Sequence, residues 1–267
     1  MIKKPKISLI ITTYNNADVI QKCLKSIKKQ SFKDFELIIV DEKSSDGTAK
    51  IARKYTDNVI IGGKERCQKR NIGAKNSRAD YFFFIDSDME LIDGLLEEIS
   101  GLINPKTLIM VPEVSFGEGY WAKCKSFERS FYKGGDISQG VRVYPKKIFF
   151  KARGFDDRVL GAEDLDLFNR IKKANSGIKV VESKKYLLHN EGNLRYSQII
   201  KRMKYYSNSF KEYKRRHPEI FKKQTSVLRY IRELNQLILH PILAFGFIII
   251  KIGEAVTVLY SINKNDV

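Results

Sequence analysis

Short, mostly apolar runs alternate with helix-like segments along the first 110 residues. Three of the runs read ISLIIT at 7–12, FELIIV at 35–40 and YFFFI at 81–85. Between the first two, apolar residues recur at helical spacing over 19–27. A strand that is apolar at nearly every position, rather than at every second one, is buried on both faces, as in a parallel sheet covered by helices. The pattern therefore predicts an α/β fold with a doubly wound, mostly parallel sheet.

Further elements follow from the same patterns. Apolar spacing predicts helices over 48–55, 64–77 and 91–102, and a short strand over 59–61. After about residue 108 the alternation loosens into strand-like pieces that read LIMVP, VRVYP and IKVVE. The segment 163–173 begins with acidic residues, as the dipole of a helix favours at its first turn, and is predicted to be helical.

Polar and acidic residues stand where the predicted strands end. They occur at three strand ends, and they are Thr13, Tyr14, Asn15, Asp41, Glu42, Asp46, Asp86 and Asp88. In open parallel sheets, ligands bind beyond the carboxyl ends of the strands. The sequence therefore predicts one shared site at that edge of the sheet.

Asp86 and Asp88 form a D-x-D motif directly after a buried strand. Two carboxylates so close together repel each other unless a cation lies near them. Mg²⁺ is commonly bound through one or two carboxylates together with substrate phosphates, and Mn²⁺ also prefers oxygen ligands. A lone D-x-D occurs in many loops, so it is the position after the strand that makes Mg²⁺ or Mn²⁺ the predicted cofactor.

The net charge and the last 70 residues point to an anionic partner. The formal charge is +18, and 199–232 holds eleven Lys or Arg against two Glu, interleaved with aromatic residues. A run without formal charge follows at 234–250 but contains Asn, Gln, His and Pro. This composition favours a helix at an anionic membrane surface over a clean membrane span. Nucleic acid and a solvated charged surface are the alternatives, and no nucleic-acid-binding module accompanies the basic segment.

The three cysteines show neither a zinc pattern nor a disulfide framework, which is typical of a reducing compartment. The chain opens on a strand-like run rather than on a signal peptide. The predicted location is the cytoplasmic face of a membrane, with peripheral or monotopic attachment.

Six segments together resemble family 2 glycosyltransferases. They read ISLIITTYN at 7–15, IIVDEKSSDGT at 38–48, RNIGA at 70–74, FFFIDSDME at 82–90, GFDDRVLGAEDLDLFNRI at 154–171 and HNEGNLRYSQIIKRMKYYSNSFKEYKRRHP at 189–218. The last of them resembles a tail seen in one membrane-associated subgroup of the family. The segments occur in the family's order, and the resemblance covers nearly the whole chain. It implies a GT-A fold and inverting transfer of a sugar from a nucleotide-sugar, for which UDP is the usual nucleotide.

The resemblance also implies roles for individual residues. On the nucleotide-sugar side it indicates Thr12, Tyr14, Asp41, Glu42, Arg70 and Asp86. Glu42 stands where the common form of the family has aspartate. As metal ligands it indicates Asp88, Asp86 and His189.

For catalysis the resemblance indicates Asp164 as the general base, with Glu163 and Gly154 on the acceptor side. A carboxylate can take the proton of the acceptor hydroxyl as that hydroxyl attacks the sugar. Without the other motifs, Glu163 and Asp164 would be read as a solvated helix start.

The predicted domains are a GT-A domain at 1–195 and a basic and hydrophobic helical tail at 196–267. Within the first, 1–110 is the nucleotide-sugar-binding half and 111–195 the acceptor half. The predicted partners are a nucleotide-sugar donor, a glycan or lipid-linked acceptor and an anionic membrane surface, and no nucleic acid. The Q-x-x-R-W motif of processive relatives is not reproduced at 198–203, so a single sugar is expected to be added.

The sequence argues against two other functions. A non-catalytic nucleotide-sugar-binding or membrane scaffold protein would be expected to have lost Asp88 or Asp164, and both are present. A sugar-phosphate nucleotidyltransferase would need a glycine-rich loop after the first strand, where TTYNNAD has no glycine.

Overall fold

A computed structural model of the chain describes residues 3–131, 140–174, 177–226, 230 and 233–264. The chain divides into two compact units. The first is made of Met1–Glu113, Gln139–Asp157 and Glu163–His189, and the second of Val114–Ser138, Arg158–Ala162 and Asn190–Val267. The boundary between residues 195 and 196 drawn from the sequence stays a prediction.

Ten strands occur in the described residues. They are β1 (Ile7–Thr13), β2 (Phe35–Asp41), β3 (Val59–Ile61), β4 (Tyr81–Asp86), β5 (Met89–Leu91), β6 (Thr107–Met110), β7 (Glu113–Glu118), β8 (Val141–Pro145), β9 (Lys179–Glu182) and β10 (Leu187–Asn193). The main sheet has the order β3-β2-β1-β4-β8-β6-β9. Among its described pairs, only those made by β8 are antiparallel. The prediction of a mostly parallel sheet is confirmed.

Eleven α-helices are described. They are α1 (Ile20–Lys29), α2 (Thr48–Ala52), α3 (Arg66–Lys75), α4 (Leu95–Leu102), α5 (Gly119–Arg129), α6 (Lys146–Lys151), α7 (Glu163–Ala174), α8 (Tyr196–Arg216), α9 (Pro218–Thr225), α10 (Leu234–Leu239) and α11 (Pro241–Lys264). The predicted helix at 163–173 is α7, and the three strand-like pieces after residue 108 are β6, β8 and β9.

Helices pack on both faces of the main sheet. On one face, Leu9 and Ile11 of β1 join Leu24 and Ile27 of α1 in the largest apolar cluster. On the other face, Gly73 of α3 lies so close to Ile10 that a Cβ atom there would overlap the isoleucine side chain. Residues in consecutive positions of β1 thus meet different helices, and all seven residues of β1 are buried. This is the doubly wound arrangement that the mostly apolar runs predict.

Three helices predicted from the sequence had wrong boundaries. The helix expected over 48–55 ends at Ala52 and continues as tight turns, in which Lys54 and Tyr55 donate to residues three positions back. The helix expected over 64–77 is Arg66–Lys75. The helix expected from residue 91 begins at Leu95, because Met89–Leu91 instead pairs antiparallel with Leu187–His189 as β5. Such a long-range pairing overrides local helical spacing.

In the second unit, α11 extends beyond the uncharged segment 234–250. The helix begins at Pro241, since proline suits the first position of a helix, and continues through Lys251 and Glu254. Those two charges are ion-paired with α5: Lys125 Nζ lies 2.9 Å from Glu254 Oε1, and Lys251 contacts Glu128. Burial alone would raise the pKa of Glu128, but Lys125 and Lys251 lower it below its usual value. Because Lys251 and Glu254 are neutralised by these ion pairs, α11 continues through them.

Within the described residues, Pro241–Tyr260 is the one segment long and apolar enough to cross a membrane. Core helices of soluble proteins meet the same criterion, so this is weak evidence for membrane association.

Candidate active site

The carboxyl ends of three neighbouring strands meet at one edge of the main sheet. Thr12 of β1 is in register with both Val40 of β2 and Asp86 of β4, and Thr13 is opposite Asp41. The polar residues at these strand ends therefore share one edge, as the sequence predicted.

The end of β2 is tied to the loop that follows it and to α3. The backbone N–H and the hydroxyl of Ser44 donate to the buried Asp41 carboxylate at 2.8 and 2.6 Å. Glu42 accepts from Lys69 Nζ at 2.6 Å, and this ammonium also lies 6.0 Å from the centre of the Tyr14 ring. Tyr14 is 52% exposed. A flat aromatic face, a cation and an anion thus lie together beside β1.

Arg70 of α3 joins the D-x-D motif to the start of α7. Its Nη2 lies 2.9 Å from Asp86 Oδ1, and its Nη1 lies 2.9 Å from Asp164 Oδ1 and 3.4 Å from Glu163 Oε1. The Arg70 side chain is only 1% exposed. One turn earlier on the same helix, Arg66 Nη2 lies 2.5 Å from Glu163 Oε1. Two arginines of α3 therefore hold the acidic first turn of α7.

The Asp86 carboxylate is shared between two guanidinium groups. Its second oxygen, Oδ2, lies 3.3 Å from Nη1 of Arg142, which comes from β8. Burial opposes ionisation of Asp86, but Arg70 and Arg142 outweigh it and hold the pKa of Asp86 well below its usual value. Both oxygens of Asp86 thus have cationic partners within the protein.

Asp88 has the features of a metal ligand. Its Oδ1 is buried and has no hydrogen-bond partner in the described part of the chain. Its Oδ2 lies 3.5 Å from Nε2 of His189. Among the described residues, no three His, Cys, Asp or Glu side chains gather in a group that could hold an ion. Asp88 and His189 together fit the mode in which a divalent cation takes few protein ligands and fills its shell with water and substrate phosphates.

Asp164 is partly buried at the start of α7, with 26% of its side chain exposed. Burial raises the pKa of Asp164 above its usual value, while Arg70 opposes this shift and Glu163 adds to it. A raised pKa makes a carboxylate a stronger base once it is ionised. Gly140 lies beside it, where a Cβ atom would come within 3.0 Å of the Asp164 Cβ.

Gly154 shapes the loop beneath Arg70. Its φ is +66°, a value that favours glycine, and a Cβ atom there would lie 2.5 Å from Asn71 Oδ1. The Asn71 carboxamide holds the next residue, donating to the carbonyl of Phe155 at 2.8 Å and accepting from its N–H at 3.0 Å. The Phe155 ring lies 5.2 Å from the Arg70 guanidinium carbon. Gly154 thus allows Phe155 to pack against Arg70.

Sequence reasoning missed four residues of this site. They are Arg66, Lys69, Glu113 and Arg142. Two features of the sequence could have indicated Arg142 and Glu113. Arg142 is a lone charge inside the apolar strand VRVYP, and a buried charge needs a partner. Glu113 follows the run LIMVP, just as Asp41 and Asp86 follow mostly apolar runs.

A match to a family model identifies the class of protein to which this chain belongs. The model of glycosyl transferase family 2 matches residues 8–154, more than half of the chain. The chain therefore belongs to glycosyl transferase family 2 and is a glycosyltransferase, as its motifs predicted.

Two relatives in sequence illustrate the family. The chain is 28% identical to the poly(ribitol-phosphate) beta-N-acetylglucosaminyltransferase TarP of Staphylococcus aureus, over 86% of this chain and 81% of that protein. It is 33% identical to the GalNAc(5)-diNAcBac-PP-undecaprenol beta-1,3-glucosyltransferase of Campylobacter jejuni, but over only 36% of this chain and 33% of that protein.

Two solved structures share the fold. The mannosyltransferase PcManGT of Pyrobaculum calidifontis, in complex with GDP-Man and Mn²⁺, gives a TM-score of 0.66 at 15% identity, covering 97% of this chain and 88% of that one. S. aureus TarS 1–349 with UDP-GlcNAc gives 0.53 at 21% identity, covering 76% of this chain and 66% of that one. The GT-A fold predicted for this chain is confirmed.

Proposed function

We propose that the protein is an inverting glycosyltransferase that moves one sugar from a nucleotide-sugar, UDP-linked, to an acceptor hydroxyl. The observation that carries the proposal is the double contact of Arg70, at 2.9 Å to both Asp86 and Asp164. One buried side chain thereby links the strand end where the donor would bind to the carboxylate that would act as base. Membership of the family and the presence of both Asp88 and Asp164 favour this function over a non-catalytic scaffold.

In the proposed reaction, Asp164 accepts the proton of the acceptor hydroxyl while the hydroxyl oxygen bonds to the anomeric carbon. The bond between that carbon and the diphosphate breaks at the same time, and its electron pair leaves with the diphosphate. The raised pKa of Asp164 suits this role. Arg70 holds one oxygen of the carboxylate, which orients the other toward the acceptor.

The nucleotide is proposed to bind beside the ends of β1 and β2. Tyr14 offers an exposed ring for the base or ribose, and Thr12 lies next to it at the strand end. Asp41 and Glu42 are proposed to contact the base, with Lys69 holding the carboxylate of Glu42. Arg70 and Asp86 come next along the edge and are proposed to face the ribose and diphosphate.

Asp88 and His189 are proposed to hold Mg²⁺ or Mn²⁺, with Asp86 as a further predicted ligand or ribose contact. When bound, such a cation offsets the negative charge that develops on the departing diphosphate. The protein's own part is to present the partnerless oxygen of Asp88 beside an imidazole nitrogen.

UDP binding is expected to be tighter in Mn²⁺ than without metal, and Asp88→Ala is expected to remove that difference. The reason is that Asp88 Oδ1 is the buried oxygen left for a cation. Isothermal titration calorimetry with UDP, with and without Mn²⁺, measures the effect. The matched control is Asp93→Ala, an exposed aspartate on the same stretch of chain, which should keep the metal effect. Wild-type affinity that is the same with and without Mn²⁺ would refute the metal role.

The acceptor is proposed to be a glycan that carries phosphate, either as a polymer or as a lipid-linked diphosphate. TarP is named for poly(ribitol-phosphate), and the C. jejuni relative for an undecaprenol diphosphate glycan. A formal charge of +18 suits such anionic acceptors.

A membrane surface is the proposed second partner, at the cytoplasmic face and with peripheral or monotopic attachment. The outward side of α11 is a stripe of exposed apolar side chains, which are Ile242, Phe245, Ile248, Ile252, Val256, Leu259 and Tyr260. Lys251 and Glu254 are instead engaged with α5. A helix with one packed side and one exposed apolar side suits the interface plane, and the basic α8 and α9 suit anionic lipid.

Ile252→Glu is expected to weaken vesicle binding by about 10–100-fold, because burying an isoleucine is worth about 1.5–3 kcal/mol. Co-sedimentation with phosphatidylcholine vesicles containing phosphatidylglycerol measures it. Ile61→Glu is the control, since Ile61 is a similarly exposed isoleucine at the end of β3. Equal losses for the two variants, or no preference for the anionic lipid, would count against the surface.

A further inference from the structure

A ring of contacts closes on the D-x-D motif. Asp86 Oδ2 lies 3.3 Å from Arg142 Nη1, and Arg142 Nε donates to Glu113 Oε1 at 3.0 Å. The other oxygen of Glu113, Oε2, lies 3.2 Å from His189 Nδ1, and His189 Nε2 lies 3.5 Å from Asp88 Oδ2. The contacts thus run from Asp86 through Arg142, Glu113 and His189 to Asp88. Because one residue separates Asp86 from Asp88 in the chain, the ring is closed.

Glu113 uses one carboxylate oxygen for Arg142 and the other for His189, and the second contact determines which ring nitrogen of His189 carries the proton. An ionised carboxylate accepts hydrogen bonds and cannot donate them, so the contact at Nδ1 requires a proton on Nδ1. In the neutral imidazole the lone pair is then on Nε2, the nitrogen nearest to Asp88. The contact thus turns a metal-binding nitrogen toward the carboxylate that has an unsatisfied buried oxygen.

Arg142 fixes Glu113 in this orientation. It contacts Glu113 Oε1 through both Nε and Nη2, which prevents free rotation of the carboxylate. Arg142 is 8% exposed and stands on β8, between β4 and β6 in the main sheet. His189 stands on β10, paired with Met89 of β5. Side chains mounted on paired strands keep their geometry better than side chains on loops.

We propose that Glu113, held by Arg142, is the positioning residue that keeps His189 in its Nδ1–H form and aims Nε2 beside Asp88. Glu113 thereby sets the affinity of the Asp88–His189 pair for a divalent cation. Carboxylates that hold metal-binding histidines in this way typically change metal affinity by about 10–100-fold when they are replaced. The proposal rests on the proposed function, because it assumes that this pair binds a cation.

The first test measures Mn²⁺ affinity in the presence of UDP by electron paramagnetic resonance of the free ion. Glu113→Ala is expected to weaken Mn²⁺ binding by about 10–100-fold. Glu113→Gln is expected to fall between this variant and wild type, because its amide oxygen can still accept from Nδ1. Glu118→Gln is the matched control on the same strand, where the side chain is exposed, and should bind Mn²⁺ as wild type does.

The second test reads the imidazole itself and needs no metal. The chain has three histidines, so ¹⁵N spectra of labelled protein can be assigned by comparison with His189→Gln. Wild type is expected to show His189 with its proton on Nδ1, and Glu113→Ala a shift toward the other tautomer. A role for Glu113 limited to neutralising Arg142 would leave the tautomer unchanged.

Unchanged Mn²⁺ affinity and an unchanged tautomer in Glu113→Ala would overturn the proposal. If that variant loses its near-ultraviolet circular dichroism, the isosteric Glu113→Gln decides instead, through the same two readouts. A wild-type protein that binds no Mn²⁺ with UDP would refute the metal role in the proposed function and the affinity part of this proposal. The tautomer shift would still decide whether Glu113 positions His189.

Discussion

Replacing Asp164 by asparagine is expected to lower sugar transfer by about 10²–10⁴-fold and to leave UDP affinity close to that of wild type. Asparagine has nearly the same shape and can still accept a hydrogen bond from Arg70, which lies 2.9 Å from the carboxylate. It cannot take a proton at neutral pH. The loss should therefore appear in the rate of the chemical step rather than in donor binding.

Steady-state kinetics with a nucleotide-sugar that the wild type turns over, together with calorimetry of UDP binding, separates the two effects. Asp93→Asn makes the same chemical change at an exposed position and should retain full activity. Transfer at the normal rate by Asp164→Asn would exclude Asp164 as the base. A parallel loss of UDP affinity would instead indicate that the substitution disturbs Arg70 and the donor side.

The main sheet could be predicted from the sequence because each of its longer strands shows its own apolar pattern over a few consecutive residues. β1 and β4 are mostly apolar runs, and their burial on both faces is what makes the pattern distinct from that of a surface helix. β5, which lies outside the main sheet, could not be predicted in this way, because Met89–Leu91 pairs with a strand about a hundred residues later in the chain. A three-residue segment carries too little pattern to reveal such a partner, so local spacing assigned Leu91 to a helix.

The site could be predicted where a residue stands at a strand end or in a family motif, as Asp86 and Asp164 do. Arg70, which holds both carboxylates, also lies in a family motif, but Arg142 could not be predicted because its partner Asp86 comes from another element. Arg142 meets Asp86 across 56 positions of sequence, and Lys125 meets Glu254 across 129. Ion pairs of this kind depend on the three-dimensional fold, and the spacing of residues along the sequence does not reveal them.

Arg70→Met is expected to destabilise the folded protein by about 3–5 kcal/mol, because removing one partner of a buried ion pair leaves the other charge uncompensated. Arg70 is 1% exposed and contacts Asp86, Glu163 and Asp164. Arg142 still neutralises Asp86 and Arg66 still neutralises Glu163, so most of the cost is expected to fall on Asp164. For a chain of this size the loss corresponds to a decrease in melting temperature of roughly 6–20 °C.

Denaturant unfolding and calorimetry measure the effect, with Arg53→Met as the matched control at an exposed position after α2. The control should stay within about 0.5 kcal/mol of wild type. Arg70→Lys should fall between the two, because an ammonium keeps the charge but lacks the planar fork that reaches Asp86 and Asp164 together. If Arg70→Met were as stable as the control, Arg70 could not be the buried link between these carboxylates. The proposed function would then lose the contact of Arg70 with Asp86 and Asp164 on which it rests.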